Sequence, residues 1–553
     1  MLAAQSLLAR AVTDYAPPSR PPSCSELSIP LDLPNVCQIT PSHPPLVMQS
    51  VEAALNDARA IANARLHRTP FVPADQDSVI MRDMAQKLRD LGDEIDVQIQ
   101  KLKGQRSAVN AQLEMHDALL SPHRRLPPEI WSEIFFLALP DDWEHRSASR
   151  RVLHSARVCV MWRSIALSTP RLWTTLVFDT TKSPLAKHVN SVAQVLDRTA
   201  QASLDLTVSM AIPFTSSARP QKYWSNDAWS ILCSQSHRWS RLSLDSIPFE
   251  AYLSLASHSF PLLRSLSIAL DHCDDNDPAA EVPLDVFRNA QGVQALHVRY
   301  YTEPPTLVLP PSWTITEFTI TCGDYPGDGK EPSVQPCMGA LVACSGTLRK
   351  LTISADCVGT LPNSLMTFPV LENLRLDGDD VSVCSAISAP RLRVVTLASD
   401  GLVEFTPDVL QSLETLSRNS LGCKALRSLA LLNIMGLDPS AFVACLHHFP
   451  QLTELKLSHP EDTEIDDDSP LSFEMLVTLS RDNGEYDSLT FLPNLQHLHL
   501  IFNGMVYIDD VDSDFGELIW EIVRSREHPR VVEGAALGRL EKLITDVGTL
   551  SYP

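Results

Sequence analysis

Read from its sequence, the chain is an α/β protein: a long N-terminal helix, a small all-α module, and behind them an irregular solenoid on a parallel β-sheet. Three observations carry this expectation. Residues 74–120 lack proline and repeat apolar side chains at helical spacing. Residues 122–176 hold two short helix patterns dense in Trp, Phe and Ile. Beyond residue 177 the texture changes to short apolar pieces of Leu-x-x-Leu-x-Leu form, each followed by polar or turn-forming residues.

Length and charge narrow the classes. At 553 residues the chain is too long for one simple core, so two to four units are expected unless a repeat array stretches one of them. Hydrophobic residues at 44% and charged ones at 20% suit a soluble globular protein, and no apolar run approaches the roughly 20 residues of a membrane helix. A net charge of -22 argues against a nucleic-acid reader, because that affinity comes from clustered Lys and Arg. The opening residues 1–10 are apolar but lack the basic start and long apolar core of a secretory signal; Arg10 leaves an organelle-targeting reading open. The 12 cysteines form no C-x-x-C pair, which fits a reducing cytoplasm or nucleus, and Cys233 and Cys445 sit in apolar stretches as small buried hydrophobes.

In chain order, residues 1–45 form a Pro-rich arm with Ser and Thr, expected to be disordered. The region 46–121 is helical. A short helix from Leu46 to Leu66 should stop before Thr69 and Pro70, since the residue preceding proline is pushed out of the helical region. In the following helix Met81, Leu88, Ile95, Leu102 and Val109 recur every seven residues, with Met84 and Leu91 between. Gln98, Gln105 and Gln112 then take the intervening positions, and Ile99 and Leu113 move the apolar stripe sideways. Two readings stay open: a coiled-coil homodimer through residues 74–120, or one helix packed on its own chain.

In the module, Pro127 and Pro128 suit the start of a helix on which Ile130, Ile134 and Leu137 share one face and Trp131 and Phe135 make the adjoining stripe. A second helix, from about Ser147 to Ala166, presents Val158, Trp162 and Ile165 at similar spacing. So small a module cannot conceal this many large apolar side chains, and some should meet a partner.

The region 177–550 repeats. Its clearest copies are Leu263/Leu266/Ile268, Leu348/Leu351/Ile353, Leu371/Leu374/Leu376, Leu392/Val395/Leu397, Leu426/Leu429/Leu431, Leu452/Leu455/Leu457 and Leu495/Leu498/Leu500. Weaker ones are Trp239/Leu242/Leu244, Val293/Leu296/Val298 and Ile315/Phe318/Ile320, with a terminal unit at Leu540/Leu543. Proline stands two positions before the first Leu at Pro261, Pro369, Pro390, Pro450 and Pro493, and Asp271, Asp356, Asp379, Asp400 or Asn503 lies three beyond the last apolar residue. This is the pattern of a leucine-rich repeat, whose short strands bury one face only by stacking. Helices such as 441–448 should cover the convex flank. Spacings of roughly 21 to 45 residues point to an irregular, insertion-bearing array.

The stretch that begins Arg124-Arg-Leu-Pro-Pro-Glu-Ile-Trp resembles the F-box: Leu126, Pro127, Glu129, Ile130, Ile134 and Phe135 in the first half, Val158, Cys159, Trp162, Pro170, Leu172 and Trp173 in the second. The resemblance covers residues 122–176, and its setting, between a long helix and degenerate repeats, is similar to F-box proteins of mushroom-forming fungi. It implies binding to a Skp-type adaptor and through it to a cullin, with the repeats taking a protein target for ubiquitination. By resemblance Leu126, Pro127, Ile130, Ile134, Val158, Cys159 and Trp162 contact the adaptor or support that contact. The competing assignment makes about half of them module core, Trp162 and Ile134 first. The link Asp141–Arg151 departs from the family in lacking its compact Asp-Leu connection.

No catalytic motif or phosphate-binding loop is present, so the chain is expected to be an adaptor and not an enzyme, without cofactor. His447/His448 and His497/His499 lack a third ligand nearby for a metal, and the acidic run 461–468 lacks the glycine and terminal Glu of a calcium loop. Target contacts are expected at outward strand positions such as Arg264, Ser265, Arg375, Arg393, Lys456 and His499. The alternative function is a repeat scaffold whose F-box is not coupled to ubiquitination.

Overall fold

The structure, a computed structural model, describes residues 46–139, 154–179, 189–209, 224–245, 247–270, 284–300, 306–322, 333–355, 365–399, 409–460, 471–481, 491–502, 514–532, 535–545 and 548–551. The Pro-rich arm, the link 141–151, the acidic run 461–468 and Asp271, Asp356, Asp400 and Asn503 lie outside the described residues, as does the side chain of Asp379. The chain divides into two compact units, residues 1–125 and 126–553.

The first unit is helical. Helix α1 spans Leu46–Ile61, and a single turn follows at Ala64–His67. The one helix expected over 46–66 is thus split, because the Asn63 side chain accepts from the N–H groups of Arg65 and Leu66 and starts a new turn there. Helix α2 spans Asp75–Leu120, 46 residues, or about 69 Å. Helix α1 packs on it. The partly buried side chains of α2 include Met81, Met84, Leu88, Leu91 and Ile95, whereas every described side chain from Ile99 to Leu120 is exposed. The seven-residue pattern of its first half is therefore used within the chain, and the second half stands bare.

The second unit begins with two helices, α3 (Pro128–Leu137) and α4 (Val160–Ser168). Among the described residues a sheet of fourteen strands follows in chain order. These are β1 (Thr175–Asp179), β2 (Leu204–Ser209), β3 (Trp239–Asp245), β4 (Ser265–Ala269), β5 (Ala295–Tyr300), β6 (Glu317–Cys322) and β7 (Lys350–Ala355). Then come β8 (Asn373–Gly378), β9 (Val394–Ala398), β10 (Ser428–Leu432), β11 (Glu454–Ser458), β12 (His497–Ile501), β13 (Lys542–Thr545) and β14 (Gly548–Ser551). The first thirteen are parallel, and β14 turns back antiparallel on β13. The result is a solenoid of leucine-rich-repeat type. Each repeat copy read from the sequence becomes one strand of it; β1 and β2 were not among those copies, and in β2 Leu204, Leu206 and Val208 alternate without the preceding Leu-x-x.

Register explains the repeat. Leu374 of β8 lies opposite Leu351 of β7 and Val395 of β9, so the same two inward positions stack from strand to strand. All three are at most 1% exposed. The recurrent prolines have a local reason: Leu263, Leu371, Leu392, Leu452 and Leu495 each donate to the carbonyl three residues back at 3.1–3.4 Å, which puts the proline at the second position of a turn its fixed φ favours. Helix α5, at Pro439–Leu446, lies near the expected 441–448, buries Phe442, Cys445 and Leu446, and starts where the Asp438 carboxylate accepts from Ala441 N–H at 2.8 Å. Among the described residues no helix is long and apolar enough to cross a membrane.

Candidate functional site

The all-α module owes its shape to rings. Trp131 and Phe135, one turn apart on α3, are each 3% exposed and meet the Trp162 ring of α4 at 4.5 and 5.1 Å between centroids. Ala156, Ile165, Ala166, Leu172 and Trp173 complete the core, with Leu126 and Trp162 packed against it. The Pro170–Leu172 turn anchors this core to the array: Trp173 donates through Nε1 to the Ala166 carbonyl at 2.8 Å, and the Arg198 guanidinium sits over its ring at 4.5 Å.

With Trp131 and Phe135 turned inward, the stripe beside them faces out. Ile130 is 47% exposed, Ile134 37% and Leu137 66%, so a helix of ten residues leaves three large aliphatic side chains in water. Val158 and Val160 are exposed on the second half. The second helix differs from the expected one: its first residues, 147–153, lie outside the described residues, and 156–158 form a turn before the helix begins at Val160. Cys159 is the reason, since it is extended and its Sγ accepts from Trp162 N–H at 3.4 Å as a helix cap.

The seven residues expected at the adaptor contact therefore divide by place. Ile130, Ile134 and Val158 are exposed apolar groups. Pro127 is exposed too, and its carbonyl accepts the first helical bonds, from Ile130 and Trp131 N–H at 3.1 and 3.2 Å. Leu126 and Trp162 pack into the module, and Cys159 caps. Of the two residues the competing assignment placed first in the core, Ile134 is exposed and Trp162 is partly buried, packed against the core.

On the array, the outward strand positions form rows across the sheet. Arg375 sits between Thr352 and Thr396, and Lys456 between Ala430 and His499. Three strand steps, about 14 Å, separate Arg375 from Lys456 across small side chains. Arg375 pairs with Asp377 at 2.9 Å, and His499 faces the Glu454 carboxylate at 3.5 Å. Arg264 and Arg393 lie one residue before their strands, and the Arg264 guanidinium lies over Gly292, where an added Cβ would strike it. Ser265 opens β4.

Sequence reasoning passed over one cluster on the same face. His297 bonds Ser267 at 3.2 Å and Thr321 at 3.1 Å, and Arg299 pairs with Asp245 across the intervening strand β4. Burial first, then the charge of Arg299, lowers the His297 pKa against the opposing pull of Asp245. The signal was available in Leu296-His-Val-Arg, whose outward positions carry both residues. Among the described residues no three His, Cys, Asp or Glu side chains gather as a metal set; His447 lies instead against the Phe491 ring.

The class defined so far is a leucine-rich-repeat-type solenoid with an all-α module at its head. No family model matches the chain, and no curated protein matches it. Among solved structures it is similar to a chain in the crystal structure of the Rad7 and Elc1 complex in yeast, at 18% identity over 74% of this chain and 94% of that one, with a TM-score of 0.29.

Proposed function

We propose that the chain is the substrate-receptor subunit of an SCF-type ubiquitin ligase. The module binds a Skp-type adaptor and through it a cullin, and the strand face of the repeats binds a protein target. One observation carries this reading: Ile130 and Ile134, which match the F-box pattern, lie exposed on a helix whose ring-bearing stripe is buried. A solvent-facing aliphatic stripe beside a satisfied aromatic core is what a docking helix needs. The chain itself performs no chemistry, ubiquitin transfer belonging to partner subunits, and it works in the cytoplasm or nucleus.

The test is reconstitution of the full chain with purified adaptor and cullin, read as one co-eluting assembly and as ubiquitination of proteins captured on the repeats. Assembly with cullin-dependent modification supports the receptor. Assembly without modification leaves the uncoupled scaffold, and a chain that elutes free of adaptor overturns the docking half.

A further inference from the structure

From the bare half of α2 we infer that two copies of this chain join antiparallel through residues 102–120. At 100° per residue Leu102, Val109, Leu113 and Leu120 fall within about 20° of one line along the helix, a continuation of the stripe that α1 covers further back. Their exposures are 63%, 65%, 57% and 71%. That line is self-complementary. Turning a second copy about a two-fold axis level with residue 111, on the stripe side of the helix, sets Leu102 against Leu120 of the second copy and Val109 against Leu113 of the second copy, each pair twice.

The flanking charges select the direction. Lys103, Arg106, Glu114 and Asp117 all lie on the same side of the stripe, basic residues before the axis and acidic ones after it. In an antiparallel pair this flank meets itself, so Lys103 faces Asp117 and Arg106 faces Glu114 of the second copy. A parallel pair would bring it against the other flank, where Lys101 sits among Gln98, Gln105 and Gln112 with no carboxylate to answer. The inference stands apart from the receptor reading, since it concerns residues 102–120 alone.

The experiment is sedimentation of the full chain over a concentration series. It is repeated with Lys103→Glu/Arg106→Glu and with that pair combined with Glu114→Lys/Asp117→Lys. The expected result is a concentration-dependent dimer, weakened about tenfold or more by the first pair and restored by the second. In a Lys103→Cys/Asp117→Cys chain, peptide mapping after mild oxidation should find residue 103 linked to residue 117 of another chain. Links of 103 to 103 and 117 to 117 would overturn the direction. A chain that stays monomeric throughout the series would overturn the dimer, and reversal variants that sediment like the parent would remove its charge basis.

Discussion

Adjacent residues on α3 should respond to substitution in opposite ways. Trp131 is 3% exposed and its ring meets those of Phe135 and Trp162 at 5.7 and 4.5 Å, so Trp131→Ala opens a cavity and removes two ring contacts. Large aromatic-to-Ala changes in cores cost about 3–5 kcal/mol. Ile130, at 47% exposure, has little packing to lose, and Ile130→Asp near the helix start should cost no more than about 0.5 kcal/mol. Hydrogen exchange of the full chain, read by mass spectrometry on peptides within 128–139 and 160–173, reports local opening of the module. At about 1.4 kcal/mol per decade, Trp131→Ala should speed exchange about a hundredfold or more, and Ile130→Asp less than about threefold. Equal acceleration by the two variants would refute the division of α3 into a core stripe and a free stripe.

Other consequences are independent of partners. Leu374→Ala, at a site 1% exposed, should remove about 2–5 kcal/mol from the urea stability of the array. Burial pushes the thiols of Cys233, Cys337 and Cys384 up to about 12 and those of Cys344 and Cys423 to about 11, so all five should resist alkylation at neutral pH until denaturant is added. His297 has its pKa lowered from 6.5 by burial and Arg299, with Asp245 opposing; the unfolded chain then binds the extra proton first, and stability present above that value is lost as pH falls below it. His297→Gln should flatten that acid-side loss in denaturation curves taken at pH 7 and pH 5.

The solenoid was legible because its physics is local and periodic. A Leu-x-x-Leu-x-Leu piece can bury its leucines only by stacking on another, and the Pro-x-Leu turn repeats the geometry that feeds each strand. The same logic passed over β2, where the three inward residues are present but the turn signal is not. In the module, composition announced an excess of apolar side chains without saying which would stay outside. Helical spacing gave two stripes on α3, and only the positions of Trp162 and Trp173 decide that the ring-bearing stripe is buried. The start of α4 at Val160 was hidden for a related reason, since a thiol acting as a cap leaves little signal in the sequence. Pairing of Arg299 with Asp245 depends on strand order, and a single strand read by itself does not contain it.

The docking proposal is tested most directly by titrating the full chain with a purified Skp-type adaptor in a calorimeter, alongside an Ile130→Asp/Ile134→Asp variant shown by hydrogen exchange to keep its module folded. Burying the exposed 47% of Ile130 and 37% of Ile134 contributes about 1.3–2.5 kcal/mol in all, so the variant should bind at least about tenfold more weakly than the parent. Binding of equal strength by both chains, or by neither, would contradict the account.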